Sequence, residues 1–101
     1  MIVLLTGANG FLGRRLAAAL LAAGHHLICA VRHRPPVAPH GAPVRYFEAD
    51  LSRDLEVGDW LPRLAGVDAV INAAGILREH GQQRFETVHV RGPCALFAAC
   101  A

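Results

Sequence analysis

Short runs of consecutive apolar residues, each closed by turn-forming residues, punctuate the chain and alternate with stretches of helical character. Ile2 to Leu5 is such a run and ends at a glycine cluster, as expected of a strand buried on both faces. Phe11 to Ala23 is rich in alanine and leucine, and Gly24 follows as a C-terminal stop, which predicts a helix. His26 to Val31 reads as a second strand. Pro35, Pro36, Pro39, Gly41 and Pro43 then exclude a regular helix and predict a loop. Val44 to Ala49 reads as a third strand. Asp50 and Ser52 are both acceptable caps for a helix from about Arg53 to Leu64, which Gly58 and Pro62 weaken. Val67 to Ala73 reads as a fourth strand, Ile76 to Gln83 as a loop, and Phe85 onward as a final helix with Gly92-Pro93 awkwardly inside it. The order β-α-β-loop-β-α-β-α implies an α/β chain. Its sheet holds about four parallel strands joined by right-handed crossovers, with helices on both faces.

Composition narrows the picture. The chain has 101 residues, of which 53% are apolar and 18% charged, a balance that suits one small domain with doubly buried strands. A formal charge of +2 argues against nucleic acid or an anionic membrane as partner. No run is long enough for a membrane span. Cys29, Cys94 and Cys100 form no disulfide framework and fit a reducing compartment, hence a cytoplasmic location. His25, His26, His33, His40, His80 and His89 show no metal-ligand spacing with the cysteines, so no structural metal is expected. Arg14-Arg15 ahead of the apolar run Leu16 to Ala23 imitates a twin-arginine export signal. An apolar strand and a glycine turn precede it in place of a short charged leader, which favours a buried helix with arginines in its first turn.

The first βα turn, Thr6-Gly7-Ala8-Asn9-Gly10-Phe11-Leu12-Gly13, carries the candidate chemistry. Gly7 permits a tight exit from the strand, Gly10 lets the backbone approach a ligand without a Cβ, and Gly13 lets the helix pack closely. Amides of the first helical turn, reinforced by the helix dipole, attract a diphosphate. Spacing of this kind between a strand and a helix marks the N-terminal half of a Rossmann-type doubly wound sheet and predicts a bound NAD or NADP. The expected cofactor residues of the turn are Gly7, Asn9, Gly10, Phe11, Leu12 and Gly13.

Three further strand ends bear on that ligand. About twenty residues past the glycines, NAD-binding folds usually carry a carboxylate for the ribose 2′-hydroxyl. Here the chain reads Val31-Arg32-His33-Arg34. Arginine pairs with a 2′-phosphate where a carboxylate repels it, so NADP(H) is expected in preference to NAD, with Arg32 the first contact and Arg34 the second. Asp50-Leu51 follows the third strand; Asp50 is placed either to accept from an adenine amino group, with Leu51 on the ring, or to cap the next helix. Asn72-Ala73-Ala74-Gly75 ends the fourth strand, where the small Ala73, Ala74 and Gly75 leave room for a cofactor against the backbone.

Together these stretches resemble the short-chain dehydrogenase/reductase superfamily in its extended or atypical branches, the NAD-dependent epimerase/dehydratase type among them. Gly75-Ile76-Leu77-Arg78, Phe85 and Val88-His89-Val90-Arg91-Gly92-Pro93 are similar to complex I 39 kDa subunit-like and NmrA-like NAD(P)H-binding proteins. The resemblance implies cofactor roles for the residues named above and no catalytic set. Reductases of that superfamily use a tyrosine with a lysine four positions on and a serine. This chain has no lysine, its one tyrosine, Tyr46, has Asp50 four positions on, and its one serine, Ser52, is a candidate helix cap. His89 stands where many relatives have asparagine.

Three functions are therefore open at this point. The chain is the N-terminal, cofactor-binding portion of an NADP-dependent oxidoreductase or epimerase, inactive alone; or a non-catalytic NADP(H)-binding structural or redox-sensing module; or an α/β interaction domain with a degenerate site. The last helix reaches Ala101 without a stop signal, which suggests one partial domain over 1–101 and self-association through an exposed sheet edge or that helix.

Overall fold

A computed structural model of the chain describes residues 1–32, 44–74 and 85–100. They form two compact units, one of Met1–Ala49 with Gly66–Ala73, the other of Asp50–Ala65 with Ala74–Ala101.

The first unit is a four-stranded, all-parallel sheet in the order β3-β2-β1-β4, built from β1 (Ile2–Thr6), β2 (His26–Val31), β3 (Val44–Glu48) and β4 (Ala69–Asn72). The chain starts in the sheet's interior and moves outward to β3 before returning to β1's other side at β4, the doubly wound order. Among the described residues of this unit, α1 (Phe11–Ala22) is the helix, and it follows β1. Alternation along the strands decides what it covers. Val3, Leu5, Leu27, Cys29 and Val31 form a buried cluster with Ala8 and Ala17, and Leu16, Leu20, Leu21 and Tyr46 pack onto it. Leu4, Ile28 and Ala30, on the opposite face, are buried as well. Burial on both faces explains why β1 and β2 read as unbroken apolar runs rather than as alternating ones. Asp68 fastens the start of β4 to the start of β1: its backbone N–H donates to Ile2 O at 2.8 Å, and its Oδ2 accepts from Ile2 N–H at 2.7 Å.

The second unit departs from expectation in two places. The helix expected from about Arg53 to Leu64 is only one turn of α-helix, α2 (Val57–Trp60), followed by a 3₁₀ turn, Leu61–Leu64. Neither Asp50 nor Ser52 caps it. Asp50 Oδ1 instead accepts from Ser52 N–H at 2.9 Å and Ser52 Oγ at 2.6 Å, and Asp54 Oδ2 accepts from Asp50 N–H at 2.7 Å. These side chains satisfy a local turn in competition with a helix. The helix begins only after Glu56, where Glu56 and Asp59 form a reciprocal capping box. Pro62 then cannot donate to an α-helical ladder, and the chain tightens into the 3₁₀ turn.

The final helix does accommodate Gly92-Pro93. Glu86–Arg91 forms a wide π-helical turn, with Gly92 N–H donating to Thr87 O, five residues back, and α3 (Gly92–Cys100) continues from it. Pro93 lacks an N–H and its ring crowds the carbonyl of residue 89, so the widened turn just before it relieves both problems. Trp60, Val88, Leu96, Ala95 and Ala99 are buried in this unit, α2 packs against α3, and Trp60 Nε1–H donates to Asp54 O at 2.9 Å. The proline-rich loop and the loop from Ile76 to Gln83 lie outside the described residues.

Candidate functional site

At the C-terminal end of β1 the chain turns sharply. Gly7 has φ of +68°, a conformation that side-chain-bearing residues rarely adopt, and Gly10 N–H donates to Gly7 O at 3.0 Å to close the turn. Gly10 is the extended residue before α1, and the first bond of the helix runs from Arg14 N–H to Gly10 O at 3.0 Å. The amides of Phe11, Leu12 and Gly13 thus precede the helix's own ladder, and no side chain caps them. Gly13 has a more specific reason to be glycine than expected. A Cβ there would stand 1.8 Å from Gly7 O, so the helix rests on the turn itself. At Gly10 a Cβ would meet Gly7 O at 3.3 Å, a tight contact.

The electrostatics of this corner are unusual. The first turn of α1 holds no acidic residue, while Arg14 and Arg15 sit close to the positive end of the helix dipole. Arg14 Nε–H donates to Asn9 O at 3.0 Å, and the Arg15 guanidinium lies 4.3 Å from the centre of the Phe11 ring. Phe11 and Leu12 are exposed, Phe11 by 78%.

Register brings other expected residues to the same end of the sheet. Thr6 is level with Ala30 on β2 and with Asn72 on β4, so Arg32 and Ala73 emerge beside the glycine turn at the ends of their strands. Arg32 is exposed. Thr6, only 2% exposed, donates through Oγ1 to Asn72 Oδ1 at 2.5 Å and accepts from Ala73 N–H at 3.1 Å. Neither residue has a task legible in the sequence alone. The available signal was two polar side chains closing otherwise apolar strands.

Asp50, Leu51 and Ala74 belong to the second unit. There Asp50 Oδ1 is engaged by Ser52, and Leu51 is buried against Gly92, where a Cβ would stand 2.3 Å from Leu51 O. Arg34 and Gly75 lie outside the described residues. Tyr46 is on the α1 side of the sheet beside Cys29, its hydroxyl buried, and both groups titrate high. Burial pushes the Cys29 thiol up to about 11, and burial with the Cys29 charge raises Tyr46. Among the described residues no three potential metal ligands cluster, and no helix is long and apolar enough to cross a membrane.

A family model described as the NAD dependent epimerase/dehydratase family matches residues 3–101. The chain belongs to that family. Among curated proteins it is 35% identical over 97 residues to a ceramide reductase of Caulobacter vibrioides, a match covering 90% of this chain and 28% of that protein. Among solved structures it is similar to uronate dehydrogenase from Agrobacterium tumefaciens, at 26% identity and a TM-score of 0.73, covering 98% of this chain and 35% of that one. A mutant of that dehydrogenase is complexed with NAD. The fold is also that of the oxidoreductase ylbE from Lactococcus lactis, with a TM-score of 0.80 at 24% identity over 99% of this chain and 42% of that one. The chain therefore spans about a third of the length of these relatives.

Proposed function

We propose that this chain is the cofactor-binding portion of an NADP(H)-dependent oxidoreductase or epimerase of the epimerase/dehydratase family. The single observation that carries the reading is the uncapped start of α1 resting on the Gly7 turn. It presents the Phe11, Leu12 and Gly13 amides at the positive end of the dipole, where a diphosphate is best received. Gly7, Asn9 and Gly10 shape that seat. Ala73 lines its β4 side with a side chain too small to obstruct it.

The preference for NADP(H) rests on Arg32 at the end of β2, where a guanidinium pairs with a 2′-phosphate in two-pronged fashion. Arg34 is the second arginine of the same stretch. Hydride transfer is supplied by the nicotinamide once bound, and a carbonyl substrate additionally needs a proton donor. With no lysine in the chain and Tyr46 packed on the α1 side of the sheet with its hydroxyl buried, no Tyr-x-x-x-Lys pair is available. The chain alone is thus expected to bind cofactor without turnover. Titrating NADPH and NADH against the chain tests the reading: tighter NADPH is expected, and equal affinities or tighter NADH would refute the NADP preference.

A further inference from the structure

The two adjacent arginines that imitate an export signal have a place in this corner. We propose that Arg14 and Arg15 are positioning residues that brace the glycine turn for a diphosphate. The inference rests on the cofactor reading above and assigns it two residues outside the glycine pattern.

A helix start with two arginines, no acid and no cap is locally unfavourable, because positive charge is added to the positive pole of the dipole. Local conflicts of this kind concentrate at functional sites. The side chains, moreover, are not simply extended into solvent. Arg14 Nε–H takes the Asn9 carbonyl at 3.0 Å, while the N–H of the same peptide, that of Gly10, is taken by Gly7 O at 3.0 Å. The Asn9–Gly10 peptide is therefore pinned at both ends. Its carbonyl, the end that repels an anion, is neutralised by a guanidinium. Arg15, one residue on, lies 4.3 Å over the ring of Phe11, the residue whose amide opens the helix. The pair thus fixes the residues on either side of Gly10. It also adds two positive charges where phosphate charge would arrive, at a site whose amides need no rearrangement to receive it.

The test uses the full chain and three probes: NADPH, NADH and inorganic pyrophosphate. Arg14→Met keeps the apolar stem and removes the donors; it is expected to weaken all three by a similar factor, ~10-fold. Arg15→Met is expected to weaken them by ~3-fold. Arg14→Lys keeps the charge without the Nε donor and should stay ~3-fold weaker than the wild type. The ligand-free unfolding midpoints should not fall, because exposed contacts of this kind add little to stability and the charges oppose the helix dipole. Wild-type binding of the three probes with undiminished binding by Arg14→Met would overturn the brace and leave the cofactor reading standing. Full recovery in Arg14→Lys would show that charge alone acts, and a loss of affinity that tracks a falling midpoint would reduce the pair to fold support. Failure of the wild type to bind any probe would bring down both readings.

Discussion

Thr6 and Asn72 join the C-terminal ends of β1 and β4 through their side chains, Thr6 Oγ1 donating to Asn72 Oδ1 at 2.5 Å while accepting from Ala73 N–H at 3.1 Å. The hydroxyl is thus both donor and acceptor at the point where β1 and its neighbour β4 end, beside the turn that holds Gly7. Thr6→Val preserves the shape, removes the donor to Asn72 Oδ1 and leaves Ala73 N–H only its longer bond to Thr6 O at 3.3 Å. It should cost about 1–3 kcal/mol in denaturant unfolding, with Thr6→Ser retaining most of the stability. A Thr6→Val variant as stable as the wild type would mean that the bonds do not hold the strand ends.

The glycines separate by what surrounds them. Gly13→Ala puts a Cβ 1.8 Å from Gly7 O, a backbone atom that cannot yield without moving the turn. It should cost about 3 kcal/mol or more and abolish dinucleotide binding. Gly24→Ala meets nothing within 4 Å but sits at φ +89°, and should cost about 1–2 kcal/mol without touching affinity. Gly58→Ala, with open space and ordinary backbone, should be neutral to within about 0.5 kcal/mol. Thermal unfolding of the three variants side by side checks the ranking.

Much of the fold was legible because parallel strands buried on both faces leave a simple trace, an unbroken apolar run between turn residues. β1 and β2 were placed to within a residue at each end, and Gly24 stopped α1 where a glycine with positive φ should. The segment after Asp50 was not legible, because aspartate and serine cap helices and stabilise local turns by the same hydrogen bonds. The choice between the two was made by Asp54 and by the Glu56–Asp59 box farther on. Gly92-Pro93 is disruptive to α-helical geometry, whereas a π turn absorbs a proline that an α turn does not. At the site, the glycine spacing was plain. The Thr6–Asn72 link was hidden, since partners 66 residues apart carry no local signal.

Trp60, the one tryptophan, reports on the second unit. Trp60→Phe loses the Nε1 bond to Asp54 O and should cost about 1–2 kcal/mol, whereas Trp60→Ala opens a cavity and should cost about 3–5 kcal/mol. Circular dichroism in urea distinguishes the two.

Alkaline pH should destabilise the sheet unit through Cys29. Its folded pKa of about 11 lies above the 9.0 of the free thiol, so the folded state holds its proton more tightly. That stabilisation is complete below pH 9 and is lost as pH rises towards 11, with a slope of at most ~1.4 kcal/mol per pH unit from this group. Tyr46, raised in the same direction, works with the same sign. In Cys29→Ala the Cys29 share of the slope should vanish in urea titrations across this range. An unchanged slope would assign the loss elsewhere.

The proposed preference for NADP(H) rests on Arg32, and its replacement tests that proposal. Arg32→Asp should weaken NADPH by ~100-fold and leave NADH within ~3-fold, since a carboxylate repels the 2′-phosphate and accepts from a 2′-hydroxyl. Equal losses for both would make Arg32 a general phosphate attractor rather than the selector.

The most direct measurement follows the backbone amides of the isotopically labelled chain by NMR during addition of NADPH. The largest saturable shifts should fall on Gly10, Phe11, Leu12 and Gly13, with smaller ones at Arg32 and Ala73. Saturable binding that leaves those four amides unmoved, or no binding at all, would contradict the cofactor reading.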